Sequence, residues 1–526
     1  MGSFGRTVLG VIVAGLFCGC PNPPDNPPRT YGSFPLIIGM EYALPGLASG
    51  LIDVGLPGVK PLPESFSWGE MQPTENAAID FRFLDRMVGE AQSAGYTTLV
   101  LGLRSENPWA SVDPSQGLHA GTDPTPKPEH RAAFQAWVRA IVERYDGDGI
   151  QDMPDLVRPI GYYEIGVEFS SYEPEPVEDY LVMLDLAYAA AHEAFTDVIV
   201  MHVAFLTSTV FTNHPTPEQY EETFAAAHPR IFNHGLAEMR AVLDRPDLFD
   251  AVNVHALADP YEIEDIAAWL RFEMTQRGYT RPIVISDTAP APLIAWGPAT
   301  VCDRAEDQMG VILPPATEAD RCRIAEMFQA VLDGDAGALA WLHGFVAADM
   351  VKRVVVAAEQ DIALINTAYM EDLVLLTWPI AQAGAGTGAW AGMAETQVNV
   401  FTNARTVTGL RPIFYALQQL AGHFEHYEQV ERSATENPNV RLYRVSDMQA
   451  RRPTFYIAWH APPGLTLADD AMPELAISLV AEGAQATVEA LIVEEGRTTP
   501  ITTTLPFEDG ALALLLTRTP IFVFIE

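Results

Sequence analysis

The feature that most constrains this chain is a series of short apolar runs without polar alternation, interleaved with amphipathic stretches of helical period. The runs lie at 36–40, 97–103, 160–165, 198–205, 251–254, 283–285 and 373–377. A strand with one wet face alternates apolar and polar residues. A continuous run suits a strand buried on both faces, as in a parallel sheet covered by helices. Between the runs, the spacing predicts helices over 81–94, 130–145 and 261–277. The first puts Phe81, Leu84, Met87 or Val88 and Ala91 on one face and stops at Gly95; the second does the same with Phe134, Trp137, Val138, Ile141 and Tyr145. A further strand near 61–68 brings the count to about eight, so the expected architecture is α/β: a closed (β/α)8 TIM barrel over 34–425. Residues 299–366 read as a largely helical insertion before the last strand, placed at 373–377.

Beyond 411–420 the pattern changes. Runs at 440–445, 454–459, 476–479, 486–493 and 521–525 are separated by Gly, Pro, Asn or Asp at hairpin intervals. That predicts a small all-β sandwich over 426–526.

The first twenty residues read as an export signal: Arg6, then an apolar stretch over 8–17 too short to span a bilayer. Its end, Leu16-Phe-Cys-Gly-Cys20, resembles a bacterial lipoprotein lipobox with Cys20 as the lipidated residue. Residues 21–33 form a Pro-rich tether, stiff and extended, suited to holding a domain off a membrane. The expected location is therefore extracytoplasmic: lipid-anchored to a bacterial membrane, the outer one favoured because Pro21 follows Cys20, or secreted. In that oxidising setting Cys302 and Cys322 are expected to form a disulfide. With 31 Lys plus Arg against 69 Asp plus Glu, the net charge is −38. Such a surface repels phosphate backbones, which excludes nucleic acid as the main partner.

In a barrel of this kind chemistry gathers at the C-terminal ends of the strands. The polar residues expected there are Glu41, Glu70, Arg104, Glu168, His202, His255, Asp287 and Trp378. Two carboxylates facing each other across such a mouth are what glycoside hydrolysis requires, one to protonate the leaving oxygen and one to attack or to activate water. The stretches around these residues resemble clan A glycoside hydrolases. Phe66-Ser-Trp-Gly-Glu-Met-Gln-Pro73 with Ile79-Asp-Phe-Arg-Phe-Leu-Asp85 is similar to their second strand and helix. Tyr162-Tyr-Glu-Ile-Gly-Val-Glu168 is similar to their fourth strand, Val252-Asn-Val-His255 to the sixth and Pro282-Ile-Val-Ile-Ser-Asp287 to the seventh. Arg411-Pro-Ile-Phe-Tyr-Ala-Leu417 resembles the last helix leading into the family's sandwich.

The resemblance implies Glu168 as acid/base and Asp287 as nucleophile. It also implies that Arg104 and His255 lie near the sugar or the nucleophile and that Trp378 is a stacking platform; the strand-end carboxylates Glu41 and Glu70 and the aromatic face of Trp109 are further candidates for sugar contact. Two positions depart from the family pattern. Val167 stands where an Asn contacts the sugar, and Asp287 replaces a Glu, withdrawing the carboxylate by about 1.5 Å. Retaining enzymes hold the two carboxyls about 5–5.5 Å apart and inverting ones about 6.5–9.5 Å, so the shortening bears on mechanism. The function expected is hydrolysis of an extracytoplasmic oligo- or polysaccharide; the rival is a catalytically silent lipoprotein binding glycan or protein in the same cleft.

Two further readings concern ions and cofactors. Asp146-Gly-Asp148-Gly-Ile-Gln-Asp152 has the oxygen spacing of a short calcium loop, and equally suits an acidic turn before the fourth strand. No cofactor is required by the chemistry; a structural calcium is the one ion the sequence suggests.

Overall fold

The computed structural model describes residues 36–115, 121–169, 174–207, 210–211, 213–226, 234–293, 302, 317–367, 369–372, 386–425, 429–447 and 452–526. The export segment, the tether, Cys20, Trp378 and the run at 373–377 lie outside them.

Eight barrel strands follow in order: β1 Ile37–Ala43, β2 Gly58–Pro61, β3 Thr98–Leu103, β4 Tyr162–Ile165, β5 Ile199–Met201 continued by Phe205–Leu206, β6 Val252–Ala256, β7 Ile283–Thr288 and β8 Leu364–Thr367. The first part of β5 pairs with β4 and its continuation with β6, every pairing parallel. The sheet runs β5-β4-β3-β2-β1-β8-β7-β6-β5 and closes on itself. At the break in β5, His202 replaces the missing ladder. Its Nε2 accepts from the Asn253 N–H at 3.2 Å and its Nδ1 donates to the Val203 carbonyl at 2.6 Å. Burial pushes its pKa down to about 4, so the ring is neutral.

The outer layer includes α1 Arg82–Ala94, α2 Arg131–Arg144, α3 Val177–Ala194, α4 Leu236–Leu243, α5 Glu262–Gln276, α6 Glu318–Leu332, α7 Ala336–Glu359 and α8 Pro412–Phe424. α1, α2 and α5 start and end within a residue of the spans read from periodicity, and α1 buries the expected Leu84, Met87, Val88 and Ala91. The eighth strand is a correction. It lies at Leu364–Thr367, inside the stretch read as an insertion, and α7 is the barrel helix that precedes it. Asn366 and Thr367 break the apolar run there, which made the longer run at 373–377 the stronger signal.

After α8, six strands form one antiparallel sheet. They are Gln429–Arg432, Val440–Ser446, Phe455–His460, Ile521–Ile525, Gln485–Ala490 and Thr502–Pro506, in that spatial order. The pair Leu475–Val480 and Ala511–Leu516 covers it through Leu442, Leu479, Leu512 and Leu514. The sandwich packs on the barrel. Trp459 Nε1 donates to Tyr261 Oη at 2.7 Å, and the Arg441 guanidinium lies 3.9 Å over the Tyr261 ring while pairing with Glu264.

Candidate active site

Inward side chains alternate along the strands and stack in layers. The lowest layer is apolar: Ile37, Val100, Tyr162, Ile199, Ala251, Val284 and Leu364. The next is polar and fully buried. Lys60 Nζ lies 2.6 Å from Glu164 Oε2, while Glu164 Oε1 accepts from Asn253 Nδ2 at 2.7 Å and Ser286 Oγ at 3.2 Å. Gly102 makes room for this pair, since a Cβ there would stand 3.2 Å from Lys60 Cε and 3.4 Å from Glu164 Oε2. None of Lys60, Glu164, Asn253 and Ser286 stood out in the sequence, because each sits within or beside an apolar run. Period 2 could have marked Asn253 alone, two residues before His255.

The top layer is the mouth, with Glu41, Glu168, His255 and Asp287 each at most 1% exposed. Local backbone irregularities bring three of them there. In β1, Glu41 and Tyr42 oppose the single residue Lys60, and Tyr42 takes φ 59°, a conformation uncommon for a non-glycine residue. In β7 a second bulge inserts Ser286 between pairs Ile285–Val254 and Asp287–His255, so consecutive residues Ser286 and Asp287 both serve the interior. After β4, Gly166 at φ 86° turns the chain so that Glu168 reaches a bridge with Ala204.

Two pairs result. His255 Nδ1 and Glu168 Oε1 lie 2.8 Å apart, both side chains buried. Burial works against the imidazolium, but the hydrogen bond and charge of Glu168, with Asp287 and Glu164, reverse this and raise the His255 pKa. On the other side Asp287 meets Glu41. No donor reaches any of their four carboxylate oxygens among the described residues. Both carboxylates are acceptors, so their contact becomes a hydrogen bond only when one of them carries a proton. Burial raises Glu41 well above its ordinary value, the Asp287 charge adds to this, and Lys60 opposes it. Burial likewise raises Asp287 to about 6, with His255 opposing.

A third buried group braces the mouth from behind. Arg353 of α7 donates to the Ala256 carbonyl at 2.9 Å and Thr288 Oγ1 at 3.0 Å, and also to the Ala258 carbonyl, while Asp349 holds its Nε at 2.6 Å. It ties the ends of β6 and β7 together.

The remaining expected residues fall elsewhere. Arg104 bonds Glu64 at 2.7 Å and Glu106 at 3.3 Å. Glu70 is exposed on the short helix Trp68–Met71, because β2 ends at Pro61 rather than running to 68. Trp109 is half-buried, edge-on to Trp68 at 5.2 Å, with its Nε1 donating to the Gln72 carbonyl at 2.9 Å. Asp146, Asp148 and Asp152 have ligand oxygens within 4.8 Å of one another in the loop entering β4, at the barrel end opposite the mouth. All three carboxylates accept from backbone: Asp146 from the Asp148 N–H, Asp148 from the Ile150 N–H and Asp152 from the Gly149 N–H. Such an ion would brace the loop and take no part in chemistry at the mouth. Cys302 is disulfide-bonded to Cys322.

No family model matches the chain, and no curated protein matches it. Solved structures do. A family 39 glycoside hydrolase from Bacteroides cellulosilyticus is similar at TM-score 0.57 and 12% identity, over 94% of this chain and 81% of that one. A conserved exported protein from Bacteroides fragilis is similar at TM-score 0.53 and 10% identity, over 94% and 99%. A monomeric beta-xylosidase from Caulobacter crescentus is similar at TM-score 0.50 and 11% identity, over 96% and 98%. At these identities the likeness shows the fold: a TIM barrel followed by a β-sandwich, as glycoside hydrolases have.

Proposed function

We propose that the protein is a glycoside hydrolase acting on an extracytoplasmic oligo- or polysaccharide, with Glu168 as proton donor and Asp287 as nucleophile or base. The observation that carries this reading is the meeting of Glu168 from β4 and Asp287 from β7 around one buried histidine at the barrel mouth. The Glu168–His255 pair holds a proton between Oε1 and Nδ1. With the proton on Glu168, it passes to the glycosidic oxygen as the bond to the anomeric carbon breaks. Asp287, ionised above about pH 6, attacks that carbon or takes a proton from the attacking water. The acid limb of activity therefore falls near pH 6, where Asp287 gains its proton. The polar layer beneath ties β2, β4, β6 and β7 together below the two carboxylates.

The test is hydrolysis of a broad panel of polysaccharides and aryl glycosides by the full chain. Glu168→Gln is expected to lower kcat/KM by roughly 10²–10⁴-fold on natural linkages, and by less on aryl glycosides whose leaving group needs no proton. Binding without turnover across the panel would overturn the enzyme reading in favour of a silent glycan-binding barrel. Placement outside the cytoplasm rests on the resemblance at Cys20; lipid labelling lost in Cys20→Ser is the expected result.

A further inference from the structure

The Glu41–Asp287 contact has no counterpart in the two-carboxylate chemistry above. Two carboxylates, each fully buried, stand in hydrogen-bonding contact at the mouth, and no N–H or O–H among the described residues donates to either. Both at full charge would be two uncompensated anions in contact in a low-dielectric site, which like-charge repulsion forbids. The neighbouring cations do not resolve this, because Lys60 Nζ is already committed to Glu164 at 2.6 Å and His255 to Glu168 at 2.8 Å. A proton on one carboxyl does: it removes one charge and supplies the missing donor in a single step.

We propose that Glu41 and Asp287 share one proton, and that Glu41 is thereby the positioning residue that holds the shortened Asp287 carboxylate in place. The consequence for turnover rests on the glycoside hydrolase reading; the shared proton does not. The β1 bulge supports the assignment, since it spends an unusual Tyr42 conformation on bringing Glu41 to the level of Asp287. Lys60, Glu164, Glu168 and His255 complete the charged surroundings of Asp287. His255 favours the anionic form of Asp287, so the proton resides mainly on Glu41, whose hydroxyl donates to the Asp287 carboxylate.

Difference infrared spectroscopy of the full chain at pH 7, wild type minus Glu41→Gln, tests this. The expected result is one protonated-carboxyl band present in the wild type and absent from the variant. In Asp287→Asn that band should move, because its acceptor has changed. An unaltered band in both variants, or no such band in the wild type, overturns the proposal; if Glu41→Gln fails to fold, the Asp287→Asn comparison decides. Where the glycan panel finds turnover, Glu41→Gln should keep the acid limb of kcat/KM within about half a pH unit, as one neutral donor replaces another, and Glu41→Leu should move it up by about one pH unit. Glu41→Leu, which supplies no donor, should lose kcat rather than raise KM. A uniform loss in both variants with an unmoved limb would mark Glu41 as merely structural. A panel without turnover removes the hydrolase reading and leaves the infrared result to decide the pair.

Discussion

Replacing Lys60 with methionine isolates the polar layer beneath the mouth. Lys60 and Glu164 are 1% and 0% exposed and 2.6 Å apart, so the substitution leaves a buried carboxylate without its cation. Breaking one side of a buried pair costs about 3–5 kcal/mol. Asn253 and Ser286 still donate to Glu164 at 2.7 and 3.2 Å, which places the loss near the lower end, about 3 kcal/mol. That is a factor of roughly 150 in the folding equilibrium. Lys60→Met with Glu164→Gln removes both charges while the amide oxygen keeps the Asn253 and Ser286 bonds, so the double variant should lie within about 1 kcal/mol of wild type. Urea unfolding at pH 7, followed by tryptophan fluorescence and far-UV circular dichroism, measures both. Lys60 also holds down the proton affinities of Glu41 and Asp287, so the single variant should shift the acid limb of activity to higher pH. A single-variant loss under about 1 kcal/mol, or a double variant worse than the single, would refute the claim that this pair is a charge-balanced unit.

Two other buried groups give independent predictions. Burial raises Glu262 to about 8, although the Ala258 N–H donates to it at 2.5 Å and Arg353 opposes the rise. The folded state then keeps a proton that the unfolded chain sheds near the ordinary value of 4.5, so stability falls as pH rises from about 4.5 to 8. Glu262→Gln should match wild type near pH 4.5 and exceed it by on the order of 3–5 kcal/mol at pH 8.5; parallel curves in urea titrations across that range would refute the assignment. Arg353→Met strands Asp349 and releases the carbonyls of Ala256 and Ala258, and should cost about 3–5 kcal/mol. Amide hydrogen exchange should rise first at the ends of β6 and β7, and protection unchanged there would contradict the bracing role.

Much of the barrel was legible because its causes are local. Strands buried on both faces must be apolar throughout, and helices covering them must carry one apolar face. Runs and periods therefore located six of the strands and placed the ends of α1, α2 and α5 within a residue, while the strand expected at 61–68 lies earlier, at Gly58–Pro61. The eighth strand escaped because the polar residues that serve the interior, Asn366 and Thr367, interrupt its run. Glu168, His255, Asp287 and Glu41 were likewise found from their positions at strand ends. Their partnerships were not. Glu168 and His255 lie 87 residues apart, and Lys60 and Glu164 lie 104 apart.

Six of the eight barrel strands, the ends of three covering helices and the acidic side chains at the strand ends follow from local pattern alone. Which of those carboxyls face each other follows from the closed fold alone. That depends on two β-bulges, a glycine turn and the closure of the sheet. Each shifts a side chain by one residue of register, a change that no local pattern of hydrophobicity records, because the residues it brings together exert their forces only across the closed barrel.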